Sequence, residues 1–102
     1  MADDVRLTHQ TMKVLKAMLE NPNGRLSGAD VARATDLMSG TLYPILARLE
    51  KAGWLESEWE EIDAREAGRP RRRLYKITGV GQRLAMSAFK DLGLSEGYLS
   101  WA

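Results

Sequence analysis

The sequence predicts a mainly α-helical fold with one small β-hairpin, and three observations carry that expectation. Apolar residues recur at helical spacing in three stretches, most strictly at Leu42, Ile45, Leu46 and Leu49. Two partly alternating segments, 54–60 and 73–77, flank a charged stretch containing Gly68 and Pro70, the pattern of two strands around a long tip. The chain has 102 residues and no cysteine, so one small hydrophobic core must hold it without disulfides or thiolate-bound zinc.

Each element can be justified in turn. Residues 1–6 carry no periodic signal and are expected to fray. Thr8 is a suitable N-cap, and Met12, Val14, Leu15, Met18 and Leu19 follow at helical spacing, which predicts a helix over 8–20. Asn21-Pro22-Asn23-Gly24 stops it. Arg25-Leu26 is a short connector or a minimal strand. Ser27 followed three residues later by Asp30 fits a capping box and opens a second helix over 28–35, with Val31 and Ala32 as its apolar stripe. Ser39-Gly40-Thr41 opens the third. Pro44 is expected in its first turn, where a missing N–H costs least, which puts the cap near Thr41 or slightly before it. Lys51-Ala52-Gly53 closes the third helix with a C-terminal cation and a glycine. Residues 61–70 are expected to be loop. In the second strand, Tyr75 and Ile77 share one face, and Leu74 and Lys76 the other. Thr78 caps a last helix carrying Val80, Leu84, Ala85, Ala88, Phe89 and Leu92, which Gly93 ends. The tail 94–102 is apolar for a chain end, with Tyr98, Leu99 and Trp101.

Composition narrows function. His9 is the only histidine, so a two-histidine metal site or a histidine relay cannot be assembled. No enzyme activity and no cofactor are expected. The acidic Met-Ala-Asp-Asp start lacks the basic-then-apolar order of a secretory signal, and no apolar run approaches the roughly 20 residues of a membrane helix. A cytoplasmic protein without membrane association is therefore expected. The net charge is +1, but it is unevenly spread. Residues 54–64 carry five acidic groups and no basic one; residues 65–83 carry seven basic groups against Glu66. One concentrated cationic segment in a near-neutral chain marks a candidate polyanion binder.

Three helices followed by a long-tipped hairpin is the order of a winged helix, with the second and third helices as a helix-turn-helix. Facing Leu42, Ile45, Leu46 and Leu49 to the core leaves Ser39, Thr41, Tyr43, Ala47, Arg48 and Lys51 on other faces of the third helix. Small hydroxyls at a helix start suit a phosphate backbone or a groove edge. Arg65, Arg69, Arg71, Arg72 and Arg73 crowd into nine positions at the hairpin tip, where they can reach phosphates or a minor groove.

The run from Ser39 through Gly40-Thr41-Leu42-Tyr43-Pro44 to Leu49-Glu50 and Gly53, with Arg73-Leu74-Tyr75-Lys76-Ile77-Thr78 and Gly81 beyond, resembles the PadR family of bacterial transcriptional regulators. The resemblance implies a homodimeric winged-helix repressor that binds inverted repeats in double-stranded DNA, and in many members release of DNA by a small molecule. It places Thr41, Tyr43 and Arg48 of the third helix, and the arginines around 69–73, at the DNA. The chain ends about twenty residues after Thr78, like the short branch of the family, in which the final helix alone makes the dimer. This divides one compact domain into a DNA-binding part, 1–78, and a dimerisation helix and tail, 79–102.

Blander readings stand beside these. Tyr43 can pack on the second helix rather than touch DNA. The arginines can pair across the hairpin with Glu56, Glu58, Glu60 and Glu61, each pair contributing about 0.2–1 kcal/mol. His9 reads as a helix-surface residue, and Trp54 as packing where the third helix meets the hairpin. Trp59 and Trp101 suit an aromatic pocket or an interface. Leu84, Ala88, Phe89, Leu92, Tyr98 and Trp101 are the candidates for a dimer contact or for a site taking a small aromatic or hydrophobic effector. Phe89 and Leu92 are read as dimer contacts, because together they exceed what a small core needs. The alternative function is a winged helix used for protein contact, without specific DNA binding.

Overall fold

The computed structural model describes residues 5–93. Helix α1 (His9–Leu19) starts where the Thr8 hydroxyl accepts from the Thr11 N–H. Strand β1 (Leu26–Ser27) runs directly into α2 (Gly28–Thr35). At that junction Ser27 and Asp30 close a reciprocal capping box, each backbone N–H donating to the other's side chain at 3.0 and 3.1 Å. Asp36 ends α2 in the left-handed region (φ 61), its N–H donating to the Ala32 carbonyl. Helix α3 (Ser39–Lys51), strand β2 (Leu55–Trp59), the short helix α4 (Ala64–Ala67), strand β3 (Arg73–Ile77) and helix α5 (Gly79–Asp91) complete the described chain.

The three strands form one antiparallel sheet in the order β1-β3-β2, so the expected hairpin is the larger part of a three-stranded sheet. The register sets Leu55 opposite Ile77 and Ser57 opposite Tyr75, which turns Leu55, Tyr75 and Ile77 to the interior. They meet Leu42, Ile45, Leu46 and Leu49 of α3, and Leu15 and Met18 of α1, in one apolar core. The base of β2 is tied to α5 at Thr78, whose hydroxyl donates to the Gly53 carbonyl and accepts from the Gly81 N–H. A Cβ on Gly81 would stand 2.2 Å from the Trp54 carbonyl oxygen, closer than any real contact, so only glycine fits there.

Three expectations need correction. Helix α3 starts at Ser39 with Met38 as its cap, a turn earlier than the position of Pro44 suggests. The Met38 carbonyl already accepts from Thr41 and Leu42. Pro44 therefore sits in the second turn, and the donor it lacks is the one that Gly40, four residues before it, would have received. Gly40 is exposed, so water can serve its carbonyl. Residues 61–70 are not all loop: the Asp63 carboxylate accepts from the Arg65 and Glu66 N–H groups and nucleates α4. Phe89 is 1% exposed and Ala88 is buried, both in the chain's own core. Phe89 packs in the same core cluster as Leu15, Met18 and Ile77. Leu84 on α5 and Leu92 at its C-cap do lie exposed, whereas Tyr98 and Trp101 fall outside the described residues.

Candidate nucleic-acid interface

Burial of one face of α3 decides what its other faces present. Ser39, Thr41, Tyr43, Arg48 and Lys51 all stand at the surface. Arg48 and Lys51 have no ion-pair partner among the described residues, and their place in the last turn suits the negative end of the helix dipole. Tyr43 is 47% exposed, and its phenol leans back over the start of α2. A Cβ built on Gly28 would meet the Tyr43 hydroxyl oxygen at 2.1 Å and its ring at 2.6 Å, so the absent side chain of Gly28 is the seat of the phenol. Tyr43 thus packs on α2 and keeps its outer edge in solvent.

The arginines of the wing divide by what they touch. Arg69 grips Glu60 with both terminal nitrogens, at 2.7 and 3.0 Å. That fork, the backbone N–H of Arg72 and the nearby guanidinium charges hold the Glu60 carboxyl down to about 2. Arg73 donates from Nε to the Ser57 hydroxyl at 2.9 Å, approaches Glu50 of α3 at 3.8 Å, and stacks 5.0 Å above the Trp59 ring. The Ser57 hydroxyl in turn donates to Glu50 at 2.6 Å, so one polar chain joins the end of α3 to the wing. Arg71 donates to the Ile62 carbonyl. The side chains of Arg65 and Arg72 carry no ion pair among the described residues, and both are exposed. The acidic strand therefore answers part of the cationic tip and leaves the rest open.

Ser27, Gly28 and Ala29 at the head of α2, Tyr43 of α3, and Arg71, Arg72, Arg73 and Tyr75 of the wing surround one cleft of about 260 Å³. Burial, then the Glu50 carboxylate, pushes the Tyr75 phenol up and keeps it neutral at the cleft floor. A helix N-terminus with its positive dipole end, a phenol and guanidinium groups are the donor set that an anionic oxygen takes. Of the residues chosen from sequence, Tyr43 of α3 and Arg71, Arg72 and Arg73 of the wing meet at this one place, whereas Ser39, Thr41, Arg48, Lys51 and Arg69 do not line it. The part that sequence reading missed is the start of α2. Its only signal was the Gly28-Ala29 pair behind the Ser27 cap, small residues that let a neighbouring ring approach.

Trp59 is 56% exposed and, with Ile62 and Pro70, lines an open hollow on the wing rather than an enclosed pocket. Among the described residues no three His, Cys, Asp or Glu side chains group as metal ligands, and no helix is long and apolar enough to cross a membrane.

Comparison with known proteins agrees with this architecture. No curated protein matches the sequence. Among solved structures, reduced AbfR bound to DNA is similar at 28% identity and a TM-score of 0.68, covering 85% of this chain and 57% of that one. AbfR of Staphylococcus epidermidis matches 93% of this chain and 60% of its own at 25% identity, with a TM-score of 0.67. A PadR family transcriptional regulator from Eggerthella lenta DSM 2243 shares the fold with a TM-score of 0.66 at 21% identity, over 83% of this chain and 76% of that one. NadR in complex with 4-hydroxyphenylacetate aligns at 29% identity with a TM-score of 0.64, over 84% and 52%. The chain spans just under three fifths of the length of the structures that head these matches. Residues 29–87, from the first turn of α2 to the middle of α5 and including the whole wing, match the transcriptional regulator PadR-like family, and the chain belongs to that family.

Proposed function

We propose that this chain is a sequence-specific DNA-binding transcriptional regulator that works as a homodimeric repressor. Helix α3 enters a major groove through Ser39, Thr41, Tyr43, Arg48 and Lys51, and the wing lies on the flanking backbone through Arg71 and Arg72. Arg69 and Arg73 serve this binding as braces of the wing. The observation that carries the reading is the single cleft where Tyr43, the head of α2 and the wing arginines converge. Its donors suit a phosphate oxygen, and it lies beside the exposed start of α3. The exposed Leu84 of α5 and Leu92 at its C-cap supply apolar surface for a two-fold dimer. Two-fold symmetry then demands an inverted repeat with half-sites one helical turn, or a multiple of it, apart. Release by a small aromatic or hydrophobic effector belongs to the same reading; its support is the likeness to NadR, which is solved with 4-hydroxyphenylacetate.

Selection of a random double-stranded DNA library on the purified protein, at two salt concentrations, tests this. An enriched inverted repeat is the expected result. Salt-sensitive binding without enrichment replaces the regulator with a nonspecific architectural protein. No binding at either salt assigns the winged helix to protein contact.

A further inference from the structure

Met38 is 81% exposed, the most exposed of the large apolar side chains described. It occupies the N-cap of α3 with an extended backbone (φ −76, ψ 154), and its side chain makes no capping hydrogen bond. Serine, threonine, aspartate or asparagine at that position would supply one. The other two long helices of the helix-turn-helix half do use hydroxyl caps, Thr8 and Ser27. At the leading end of α3 the chain thus carries an uncompensated apolar group where a polar one would stabilise the helix.

The surroundings limit what this group can meet. Asp36, Ser39, Gly40 and Thr41 are exposed and polar or small, while Leu37 is half-buried against the core. Met38 is a solitary apolar point, far short of the roughly 1,000 Å² that a stable protein contact needs. Its own exposure leaves the space around it open, and a Cβ on Gly40, two residues on, would likewise meet nothing within 4 Å. In a major groove the one apolar feature on a base edge is the C5-methyl of thymine. A flexible, polarizable thioether adapts to such a small target.

We infer that Met38 is a specificity-determining residue that reads a thymine methyl in each half-site of the DNA. This rests on the DNA-binding reading above and adds to it a base contact outside the helical residues of α3. Replacing thymine by deoxyuridine removes only the methyl, so a uracil scan across the selected sequence isolates the contact. For the unaltered protein, one symmetry-related pair of uracils is expected to weaken binding by roughly three- to tenfold, less than a methylene fully enclosed in a pocket because the contact is one-sided. Met38→Ala should bind the thymine DNA more weakly by a similar factor and lose the uracil penalty, with an unchanged circular dichroism spectrum. Indifference of the unaltered protein to every uracil overturns the inference and leaves the DNA-binding reading standing. So does a Met38→Ala variant that keeps the same penalty, or one whose oligomeric state changes instead. Absence of binding to any DNA overturns both.

Discussion

The Tyr43 phenol of α3 rests on the bare α-carbon of Gly28 at the head of α2, in a seat where a methyl group would come within 2.1 Å of the hydroxyl. This contact fixes the angle at which the tyrosine leaves α3 and brings its hydroxyl to the cleft shared with the wing. Gly28→Ala should therefore separate stability from function. The clashing atoms are the far end of a half-exposed side chain, which can swing away, and alanine is the better helix former. Thermal denaturation should show a change of less than about 1 kcal/mol in either direction. DNA affinity should fall by about tenfold, because the hydroxyl loses one charge-assisted or phosphate-directed hydrogen bond of about 1–2 kcal/mol. Tyr43→Phe should reproduce the affinity loss with the stability untouched. A Gly28→Ala variant that binds normally would mean that the seat matters only for packing.

The arginines of the wing should differ in kind when removed one at a time. Arg72→Ala takes away an exposed cation with no ion pair among the described residues, so binding to all sequences should weaken and, with one such contact from each subunit, the slope of log affinity against log salt should fall by about two. Arg69→Ala breaks the fork on Glu60. Its effect should reach DNA through a loosened tip, seen as faster amide exchange over residues 60–72. Arg73→Ala removes the brace between α3 and the wing, and should lower thermal stability as well as affinity. Salt titrations of the three variants beside amide exchange check the division. Equal slopes and equal exchange in all three would show that the cluster acts as undifferentiated charge.

Much of this architecture is written in local chemistry that can be read without coordinates. Thr8, Ser27 and Thr78 are caps because a hydroxyl before an apolar stripe has few other uses, and all three accept the expected backbone N–H. The α3 stripe is legible because four residues at i, i+3, i+4 and i+7 have one geometric meaning. What escaped depends on partners distant in sequence. Strand β1, open in the sequence only as a connector or a minimal strand at Arg25-Leu26, exists because Leu26 and Ser27 find Tyr75 and Leu74 across the sheet, and two residues carry no periodicity of their own. Phe89 belongs to the core because it packs in one cluster with Leu15 and Met18 of α1, distant in sequence. Pairing of Glu60 with a tip arginine is open in the sequence, but not that Arg69, nine residues away on the far side of α4, is the one that takes it. Pro44 misled in a different way, since an exposed helix start tolerates a proline in its second turn.

The Glu60–Arg69 fork makes the wing tip sensitive to acid. The carboxyl of Glu60 is held at about 2 in the folded chain against an ordinary value of 4.5. A depressed acid contributes its stabilisation above its unfolded value and loses it as pH falls towards the folded one. Wing order should therefore be complete above pH 4.5 and decline between 4.5 and about 2. Carboxyl chemical shifts followed by NMR should show Glu60 titrating at about 2, well below its ordinary value of 4.5. In Arg69→Ala the Glu60 transition should return towards 4.5, the ordinary value. A Glu60 that titrates near 4.5 in the unaltered protein would mean that the fork does not persist in solution.

Phe89 of α5 and Leu92 at its C-cap should answer to different assays. Phe89 is enclosed by the chain's own core, while Leu92 stands in solvent at the helix end. Phe89→Ala leaves a cavity in that core and should cost about 3–5 kcal/mol in urea unfolding, whatever the protein concentration. Leu92→Ala removes nothing from that core, so the unfolding of an isolated subunit should barely change. If the exposed face of α5 pairs with its copy, Leu92→Ala and Leu84→Ala together should raise the dimer dissociation constant, and the midpoint of unfolding should fall and lose its dependence on concentration as the subunits separate. Each buried leucine contributes about 1.5–3 kcal/mol at such a contact, and a symmetric interface counts every substitution twice. Sedimentation across a hundredfold range of concentration reads this directly. A double variant that sediments like the unaltered protein at every concentration would move the dimer contact away from α5.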